Sequence, residues 1–285
     1  MTQSDMPVSS PVGIIAGGGR LPFAVAESLL ARGLTPVFFG LRGVCDPIEV
    51  SRFKHHWIAL GQLGRLATLL RRENCRDLIF IGTLIRPALS EIRLDWGTLR
   101  VLSRVLMSFR GGDDHLLTGI GKILERDGFL LRGIKDVAPD LLMPAGRMTR
   151  LAPGRDDEAD IARGREVLHT LSRFDIGQAC VVIDGHVVAV EGIEGTDACL
   201  ARVAELRAQG RIRARAGRGV LVKAPKSNQD LRFDLPTFGP VTVENAARAQ
   251  LAGVAIAAGN AILADPQEMV AAADAAGLFV TGMPL

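Results

Sequence analysis

The stretch that decides the fold is VGIIAGGGRLPFAVAESLLARGLTPVFFG, residues 12–40. Its first five residues form an apolar run that predicts a buried strand. Leu21–Arg32 predicts a helix, with Pro22 near its start, where a helix tolerates proline. Thr35–Gly40 predicts a second strand. A strand, a glycine turn, a helix and a second strand in this order are typical of the mononucleotide-binding half of an α/β sheet.

The same alternation of strands and helices continues over residues 12–145 and predicts a doubly wound parallel sheet, Rossmann-like in type. Three more strands are predicted, at Trp57–Leu60, Asp77–Gly82 and Phe129–Gly133. Further helices are predicted at Leu63–Asn74, at Thr98–Ser108 and from a turn at 111–115 to about Arg126.

The second half of the chain predicts a smaller, mixed α/β domain. The Pro-, Gly- and Arg-rich segment 144–158 breaks the earlier pattern, so we place one domain at 1–146 and the other at 147–285. An Asp-Gly turn joins two apolar runs, Ala179–Ile183 and His186–Glu191, and predicts an antiparallel hairpin. The remaining predicted helices are at 160–171, 198–209, 241–250 and 266–276. Strands are predicted at 219–222 and 278–282, and 253–264 is predicted to form two short strands or one kinked segment.

The composition argues against several classes of protein. The net charge is only +3 and tyrosine is absent, so we expect no nucleic-acid partner. The four cysteines and five histidines show no metal-binding spacing, which argues against zinc and for reduced thiols in a cytoplasmic protein. Residues 1–11 lack the apolar centre of a signal peptide, and no apolar run approaches the roughly 18 residues of a membrane span.

The first candidate site is the glycine turn Gly17–Gly19, where the backbone can approach a phosphate at a helix N-terminus. Gly82 and Thr83 end a later strand and would meet this turn at the carboxyl edge of a parallel sheet. A dinucleotide is disfavoured, because Pro22 occupies the sixth position of the glycine motif and Arg42 follows the second strand in place of an acidic ribose ligand. The alternative is a tight turn without a ligand.

Two acidic clusters are candidates for metal or ribose contacts. The Asp113-Asp114 pair stands at a predicted helix start, where the helix dipole favours carboxylates even without a ligand. The segment EGIEGTD (191–197) holds three carboxylates separated by glycines, which suits a divalent cation. Its Thr196 or Asp197 would alternatively serve only as a helix N-cap.

The longest polar segment of the second half is KAPKSNQDLRFDLPTFG, residues 223–239. Lys223 and Lys226 are suited to neutralising phosphate charge, and Asp230 is the best candidate for a metal ligand or a water-positioning carboxylate. Cations, a metal and a carboxylate are the combination that pyrophosphate hydrolysis requires. The alternative is a solvated connection with scattered ion pairs.

Six motifs together resemble one family, the LpxI-type UDP-2,3-diacylglucosamine pyrophosphatases of lipid A biosynthesis. The motifs are GIIAGGGRLP (13–22), GQLG (61–64), GDD (112–114), DIGQA (175–179), EGIEGTD (191–197) and the segment 223–239. They extend through nearly the whole chain, and the last two are long and specific. Ser227 departs from the family pattern, which leads us to expect proline there.

The resemblance implies hydrolysis of UDP-2,3-diacylglucosamine to 2,3-diacylglucosamine 1-phosphate (lipid X) and UMP. It implies a requirement for a divalent cation, usually Mg²⁺, and water attack on the sugar-side phosphorus. The first domain would bind UDP, the second would bind the acylated sugar phosphate and carry the catalytic residues, and the active site would lie between them. The enzyme would be cytoplasmic, peripheral to the inner membrane and active in lipopolysaccharide synthesis. We expect a homodimer, because two-fold dimers are the commonest oligomers.

Carried over to this chain, the resemblance makes Asp230 the essential acidic residue and Lys223 and Lys226 its candidate catalytic partners. Glu194 and Asp197 join Asp230 as candidate metal ligands. The candidate substrate-binding residues are Gly17, Gly18, Gly19, Arg20, Leu21, Gly82, Thr83, Asp113, Gln178, Gln229 and Thr237.

Two other functions use the same features. A non-catalytic protein that binds a nucleotide sugar or a glycolipid would need the same loops but would show no turnover. A Rossmann-type oxidoreductase would need to bind nicotinamide, and the missing acidic residue after the second strand argues against it.

Overall fold

The computed structural model describes residues 7–83, 113–226, 232 and 235–285, and of 113–117 it describes the backbone alone. These residues form two compact units. The first comprises the described residues as far as Leu141 together with Arg232, and the second comprises the remainder from Leu142 onward. One unit is built on a parallel sheet and the other on a mixed sheet, which confirms the predicted fold class. The predicted helix Thr98–Ser108 lies outside the described residues.

The first unit contains five strands. They are β1 (Val12–Ala16), β2 (Pro36–Leu41), β3 (His55–Ile58), β4 (Asp77–Ile81) and β5 (Leu130–Leu131). Its helices are α1 (Leu21–Ala31), α2 (Pro47–Val50), α3 (Leu63–Arg72), α4 (Asp113–Arg126) and α5 (Ile134–Val137), followed by a 3-10 turn at Pro139–Leu141. The sheet order is β3-β2-β1-β4-β5, and every neighbouring pair is parallel.

The central strands of this sheet are buried along their whole length. Every residue of β1 and β2 is buried, as expected for parallel strands covered on both faces, whose sequences are continuously apolar. Phe39, Leu70 and Leu78 are fully buried in one core cluster of this unit. The short apolar runs of the sequence therefore identify the central strands β1 and β2 correctly.

The third strand begins two residues earlier than predicted. The sequence favoured Trp57–Leu60 because that run is apolar, whereas β3 starts at His55. β3 is an edge strand, so its first three residues are only half-buried and need not be apolar. His56 uses its Nε2 to contact Glu73 Oε1 at 2.8 Å, which accommodates the polar ring in the strand.

The second unit contains eight strands. They are β6 (Gly146–Arg147), β7 (Ala179–Ile183), β8 (His186–Val190), β9 (Val220–Lys223), β10 (Thr237–Phe238), β11 (Gly253–Ala257), β12 (Ile262–Leu263) and β13 (Phe279–Met283). Its helices are α6 (Arg155–Ser172), α7 (Gly195–Ala208), α8 (Pro240–Arg248) and α9 (Pro266–Ala276). Six strands form one sheet in the order β6-β13-β11-β9-β7-β8, and β10 pairs with β12 in a separate parallel pair.

This larger sheet is mixed. β9, β11 and β13 are parallel to one another, while β7 is antiparallel to both β8 and β9, and β6 is antiparallel to β13. The predicted Asp-Gly hairpin is confirmed as β7 and β8. Both turn residues have positive φ, 50° at Asp184 and 79° at Gly185, as the tight hairpin turn requires.

Successive residues of the central strands point into two separate cores. Val181 and Leu221 pack on one side with residues of α7, α8 and α9. Val182 and Val222 pack on the other side with Ile161 and further residues of α6. The sheet is therefore sandwiched between helices, which explains why its strands are apolar on both faces.

Within the described ranges, none of the helices combines the length and the apolar composition that crossing a bilayer requires. All four cysteines are free thiols and buried. Burial raises the pKa of Cys75 and of Cys180 to about 12, so these thiols are unreactive at neutral pH.

Candidate functional site

The first part of the site lies where the winding of the parallel sheet changes direction. The chain leaves β1 towards β2 on one side and returns to β4 on the other, and α/β sheets bind ligands at the carboxyl ends of such strands. Gly17 and Gly18 follow β1, and Gly82 and Thr83 follow β4. The amide of Gly18 donates to Thr83 O at 2.8 Å, and the amide of Thr83 donates back to Gly18 O at 2.9 Å.

These glycines are required by the close approach of the two turns. A Cβ on Gly17 would lie 2.5 Å from Thr83 O, and one on Gly82 would lie 2.7 Å from Gly18 O. The amides of Gly17 and Gly18 are already donated to Ile81 and Thr83. Gly19 differs, because its φ is +88° and a Cβ there would meet nothing within 4 Å. A phosphate at this edge would therefore meet Gly19 and the neighbouring Arg20 rather than the first two glycines.

A cavity of about 830 Å³ opens beside Gly19. Its volume falls within the range of roughly 300–1,000 Å³ that is usual for small-molecule sites. Among its lining residues are Gly19, Arg20, Phe23, Arg42, Asp46 and Trp57. Two arginines and two aromatic rings suit an anion joined to a planar base.

Two small details shape this cavity. Gly40 leaves room for the indole, because a Cβ there would lie 3.1 Å from the Trp57 ring. The Asp46 carboxylate caps α2, accepting from the amide of Ile48 at 2.8 Å. The sequence analysis noted Arg42 only because it stands where a dinucleotide-binding site would have an acidic residue. It did not identify Trp57 as a candidate. Leu21 opens α1 and Asp113 opens α4, whose first side chains are not described.

The second part of the site is built around Lys223, the last residue of β9. Its side chain is buried, with 7% exposure. A buried ammonium is costly unless it is hydrogen-bonded, and Lys223 Nζ donates to Thr196 Oγ1 at 2.8 Å. Thr196 lies in the first turn of α7 and is itself 8% exposed.

The hydrogen bonds continue from Thr196 to the start of β7. Thr196 Oγ1 donates to Glu191 Oε1 at 3.1 Å, and Glu191 Oε2 accepts the amide of Gln178 at 2.9 Å. The carbonyl of Gln178 accepts the amide of Ala224 at 2.9 Å. These hydrogen bonds join four chain segments at one end of the sheet: the ends of β9 and β8 and the starts of β7 and α7.

Opposing effects act on the charge of Lys223. Burial lowers the pKa of its ammonium, and the nearby carboxylates of Glu191 and Asp197 act in the opposite direction. Asp197 is in turn held by α8, since its Oδ1 accepts from Asn245 Nδ2 at 3.0 Å. The Lys223 ammonium is therefore enclosed by protein, and the carboxylates of Glu191 and Asp197 stabilise its charge.

The predicted N-cap role of Thr196 or Asp197 is wrong. α7 begins at Gly195 with Glu194 as the N-cap residue, and no side chain caps it. Hydrogen bonds from main-chain amides, its own first, hold the pKa of Glu194 below its usual range, and Arg202 at 3.1 Å contributes. Asp197 instead reaches α8, and Thr196 links Lys223 to Glu191.

The candidate metal ligands do not form a complete site in the described part of the chain. Glu194 is paired with Arg202 and Asp197 with Asn245. The described residues contain no group of three or more histidine, cysteine or carboxylate side chains arranged to hold a metal ion. The third predicted ligand, Asp230, lies outside the described residues, as does Gln229.

Lys226 lies near the same end of the sheet as Lys223. Lys226 follows β9, and its Nζ donates to Asp175 Oδ1 at 2.7 Å and to the Asp175 carbonyl at 3.1 Å. This bond ties the segment after β9 to the segment before β7. Thr237 is exposed at the start of β10. Hydrogen bonds bring Gly17 and Gly18 together with the turn at Thr83 in the first unit. In the second unit they bring Gln178 and Lys226 to the segments that flank Lys223.

Sequence reasoning missed the linking role of Thr196 and Glu191. One signal was present: a lysine directly after the apolar run Gly219–Val222 must find hydrogen-bond partners if it is buried. The sequence does not show which polar segment of the chain supplies them.

The fold and the site together define a two-unit α/β protein with a glycine turn at the switch point of a parallel sheet and a buried lysine at a strand end of a mixed sheet. The profile of the LpxI N-terminal domain matches residues 11–141, and that of the LpxI C-terminal domain matches residues 144–281. The chain is also 40% identical over 272 residues to "UDP-2,3-diacylglucosamine pyrophosphatase LpxI" of Caulobacter vibrioides, covering 95% of this chain and 97% of that relative. The chain belongs to the LpxI family, which confirms the resemblance found in its motifs.

Proposed function

We propose that this protein is a hydrolase that cleaves the pyrophosphate bond of UDP-2,3-diacylglucosamine, releasing 2,3-diacylglucosamine 1-phosphate and UMP in lipid A biosynthesis. The observation that carries the proposal is the similarity to a pyrophosphatase with this substrate over 95% of the chain. Both family profiles match in chain order, over 11–141 and 144–281. The cores of both units therefore have counterparts in the family.

The geometry around Gly19 supports a role of the first unit in binding the UDP portion. A cavity with Arg20 and Arg42 offers cations to the phosphates. Trp57, which lines the cavity, offers an aromatic ring to a pyrimidine. We assign the acylated sugar phosphate to the second unit, where Lys223 supplies a positive charge at a sheet edge.

In this proposal Lys223 stabilises charge that develops on phosphoryl oxygens as the bond breaks. A fixed cation in a site that excludes water is worth more than one in solvent, because it needs no reorganisation during the reaction. Its 7% exposure meets that condition. Asp230 would position or deprotonate the attacking water, and the attack would fall on the sugar-side phosphorus.

We also propose dependence on Mg²⁺ or another divalent cation, with Asp230, Glu194 and Asp197 as the residues to test first. The support for this is the family resemblance, and a bound cation would offset phosphate charge. Treatment with a chelator should abolish turnover, and added Mg²⁺ should restore it.

Contact with the cytoplasmic face of the inner membrane is part of the proposal, because the substrate carries two acyl chains. Four apolar side chains are exposed, two before β7, one before α7 and one in the first turn of α8. They are Phe174 (58%), Ile176 (43%), Ile193 (108%) and Val241 (60%). Exposed apolar side chains in the second unit would lower the cost of drawing a lipid out of a bilayer.

The test of the proposed function is release of UMP from UDP-2,3-diacylglucosamine in the presence of Mg²⁺. Asp230→Ala should lower kcat by about 100-fold or more, as expected for loss of a general base, while substrate binding persists. Asp127→Ala, at an exposed acid that follows α4, is the matched control and should retain activity. Absence of UMP with the unmodified protein, or equal activity in Asp230→Ala, would refute the assignment.

A further inference from the structure

The ammonium of Lys223 is held by a hydrogen-bond chain with a fixed direction. We propose that Thr196 and Glu191 are positioning residues, which hold the Lys223 ammonium where it meets the phosphate of the substrate. This inference rests on the proposed function and adds two residues that act through Lys223 rather than on the substrate.

The direction of the chain follows from the inventory of donors and acceptors. A threonine hydroxyl has one hydrogen to donate, and a carboxylate can only accept. The Thr196 hydrogen is directed to Glu191 Oε1 at 3.1 Å. The lone pairs of Thr196 Oγ1 are then turned to Lys223 Nζ at 2.8 Å, and the ammonium is the donor.

The far end of the chain is fixed by the main chain. Glu191 Oε2 accepts the amide of Gln178 at 2.9 Å, and a main-chain amide cannot reverse its polarity. The carboxylate is therefore held at both oxygens, one by backbone and one by the Thr196 hydroxyl. The hydrogen bonds through Glu191 and Thr196 therefore fix the Lys223 side chain, at the end of β9, relative to Gln178, just before β7.

The surroundings of Lys223 leave the ammonium few other partners. Its register neighbours in the sheet are Ala179 of β7 and Ile256 of β11, both apolar and fully buried. Among the described residues, the charged groups that act on Lys223 are Glu191 and Asp197. Loss of the Thr196 hydroxyl would therefore let the ammonium shift towards these carboxylates and away from its present place.

Glu191→Gln gives the sharper perturbation, because it keeps the shape of the side chain and reverses the polarity of one end. The amide of Gln178 still needs an acceptor, so the substituted side chain must turn its oxygen to Gln178 and its NH₂ group to Thr196. The Thr196 oxygen then accepts from both that NH₂ group and Lys223, and the Thr196 hydrogen loses the carboxylate oxygen that accepted it. The carboxylate charge that acts on Lys223 is also lost. The isosteric change should thus damage the site as much as removing the hydroxyl.

The experiment compares Thr196→Val, Thr196→Ser and Glu191→Gln with the unmodified protein in the UMP-release assay. Thr196→Val and Glu191→Gln should lower kcat by about 10- to 100-fold, the range in which misplacement of a catalytic group falls, with KM changed less than about twofold. Thr196→Ser keeps the hydroxyl and should remain within about threefold of the unmodified kcat.

The matched control is Thr170→Val on α6, whose hydroxyl is exposed and bonds Glu166 O of its own helix. It should leave kcat and KM unchanged. Thermal unfolding of each variant separates misplacement from loss of the fold, and if Thr196→Val is unfolded, Glu191→Gln decides.

Two results would overturn the inference while leaving the proposed function standing. One is an unmodified kcat in both Thr196→Val and Glu191→Gln. The other is equal damage in Thr196→Ser and Thr196→Val, because that pattern reflects packing rather than the hydroxyl. An unmodified protein that releases no UMP would instead refute the proposed function and the inference together.

Discussion

At the scale of single residues, the proposed phosphate-binding positions are occupied by cations: Arg20 and Arg42 in the first unit and Lys223 in the second. Arg42 follows β2 and lines the cavity beside Gly19. In dinucleotide-binding sheets an acidic residue near this position holds a ribose hydroxyl. A guanidinium in its place favours an anion, which agrees with a nucleotide bound through its phosphates rather than with a nicotinamide cofactor.

Arg42→Gln should weaken the binding of UMP by about tenfold, since one charge-assisted hydrogen bond contributes roughly 1.5–3 kcal/mol before solvent screening. Isothermal titration calorimetry at low and high salt measures the change, and the difference should shrink at high salt. Arg72→Gln, at an exposed arginine that ends α3, is the control. If Arg42→Gln and the unmodified protein bind UMP with equal affinity, the proposal that UMP binds in this cavity is wrong.

The sequence identified Lys223 as a candidate because it stands with Lys226 and Asp230 in the polar segment 223–239. It did not identify Thr196 as the partner, because the two residues are 27 positions apart and only the packing of α7 against the sheet joins them. Glu191 was grouped with Glu194 and Asp197 by proximity in the sequence. In the structure each of the three carboxylates has a different partner.

At the scale of elements, the sequence predicted most apolar strands well, including the edge strand β8, which starts at the predicted His186 although its first two residues are exposed. β1, β4 and β7 have the predicted starting residues, because a continuous apolar run has clear limits. The edge strand β3 was placed wrongly, and the four-residue helix α2 was not predicted. Both are short and half-exposed, so solvent and capping rather than burial determine their limits.

The link between β3 and the end of α3 should respond to pH. Glu73 follows α3 with its carboxylate 8% exposed and contacts Lys54 and His56. Hydrogen bonds from Lys54 first, and then from His56, hold the pKa of Glu73 below its usual 4.5. Because the folded-state pKa is lowered, the contribution to stability is present above the unfolded-state pKa and is lost as pH falls through the folded-state value.

Glu73→Gln should therefore destabilise the protein at pH 7, by roughly 1 kcal/mol for pairs with one exposed partner. The difference should shrink as pH falls below the usual 4.5 and disappear once pH lies below the lowered folded-state pKa of Glu73. Urea unfolding at a series of pH values measures it. Glu166→Gln, at an exposed position on α6, should show no such dependence. A constant difference across the series would contradict the proposed ion pairing.

At the scale of the whole molecule, the sequence predicted the fold class and the family, and the two units follow from their separate cores. The residues that the structure leaves undescribed include Asp230, so the acidic residue at the centre of the proposal rests on the resemblance. The predicted homodimer stays a prediction. So does the peripheral membrane contact, for which the exposed apolar side chains offer a test.

Phe174→Ser combined with Ile193→Ser should reduce sedimentation of the protein with phospholipid vesicles. The two side chains are 58% and 108% exposed, and burying each in a bilayer would contribute about 1.5–3 kcal/mol. Leu30→Ser on α1, at a side chain that is 52% exposed, is the control. Unchanged sedimentation of the double variant would place the membrane contact elsewhere.

The most direct test of the central claim is one turnover of UDP-2,3-diacylglucosamine in water enriched in heavy oxygen, with both products analysed by mass spectrometry. The proposed function predicts UMP and 2,3-diacylglucosamine 1-phosphate in equal amounts, with one heavy oxygen in the sugar phosphate and none in UMP. Label in UMP alone would contradict the proposed point of attack. Bound but intact substrate would contradict catalysis itself and would leave a protein that only binds the lipid-linked nucleotide sugar.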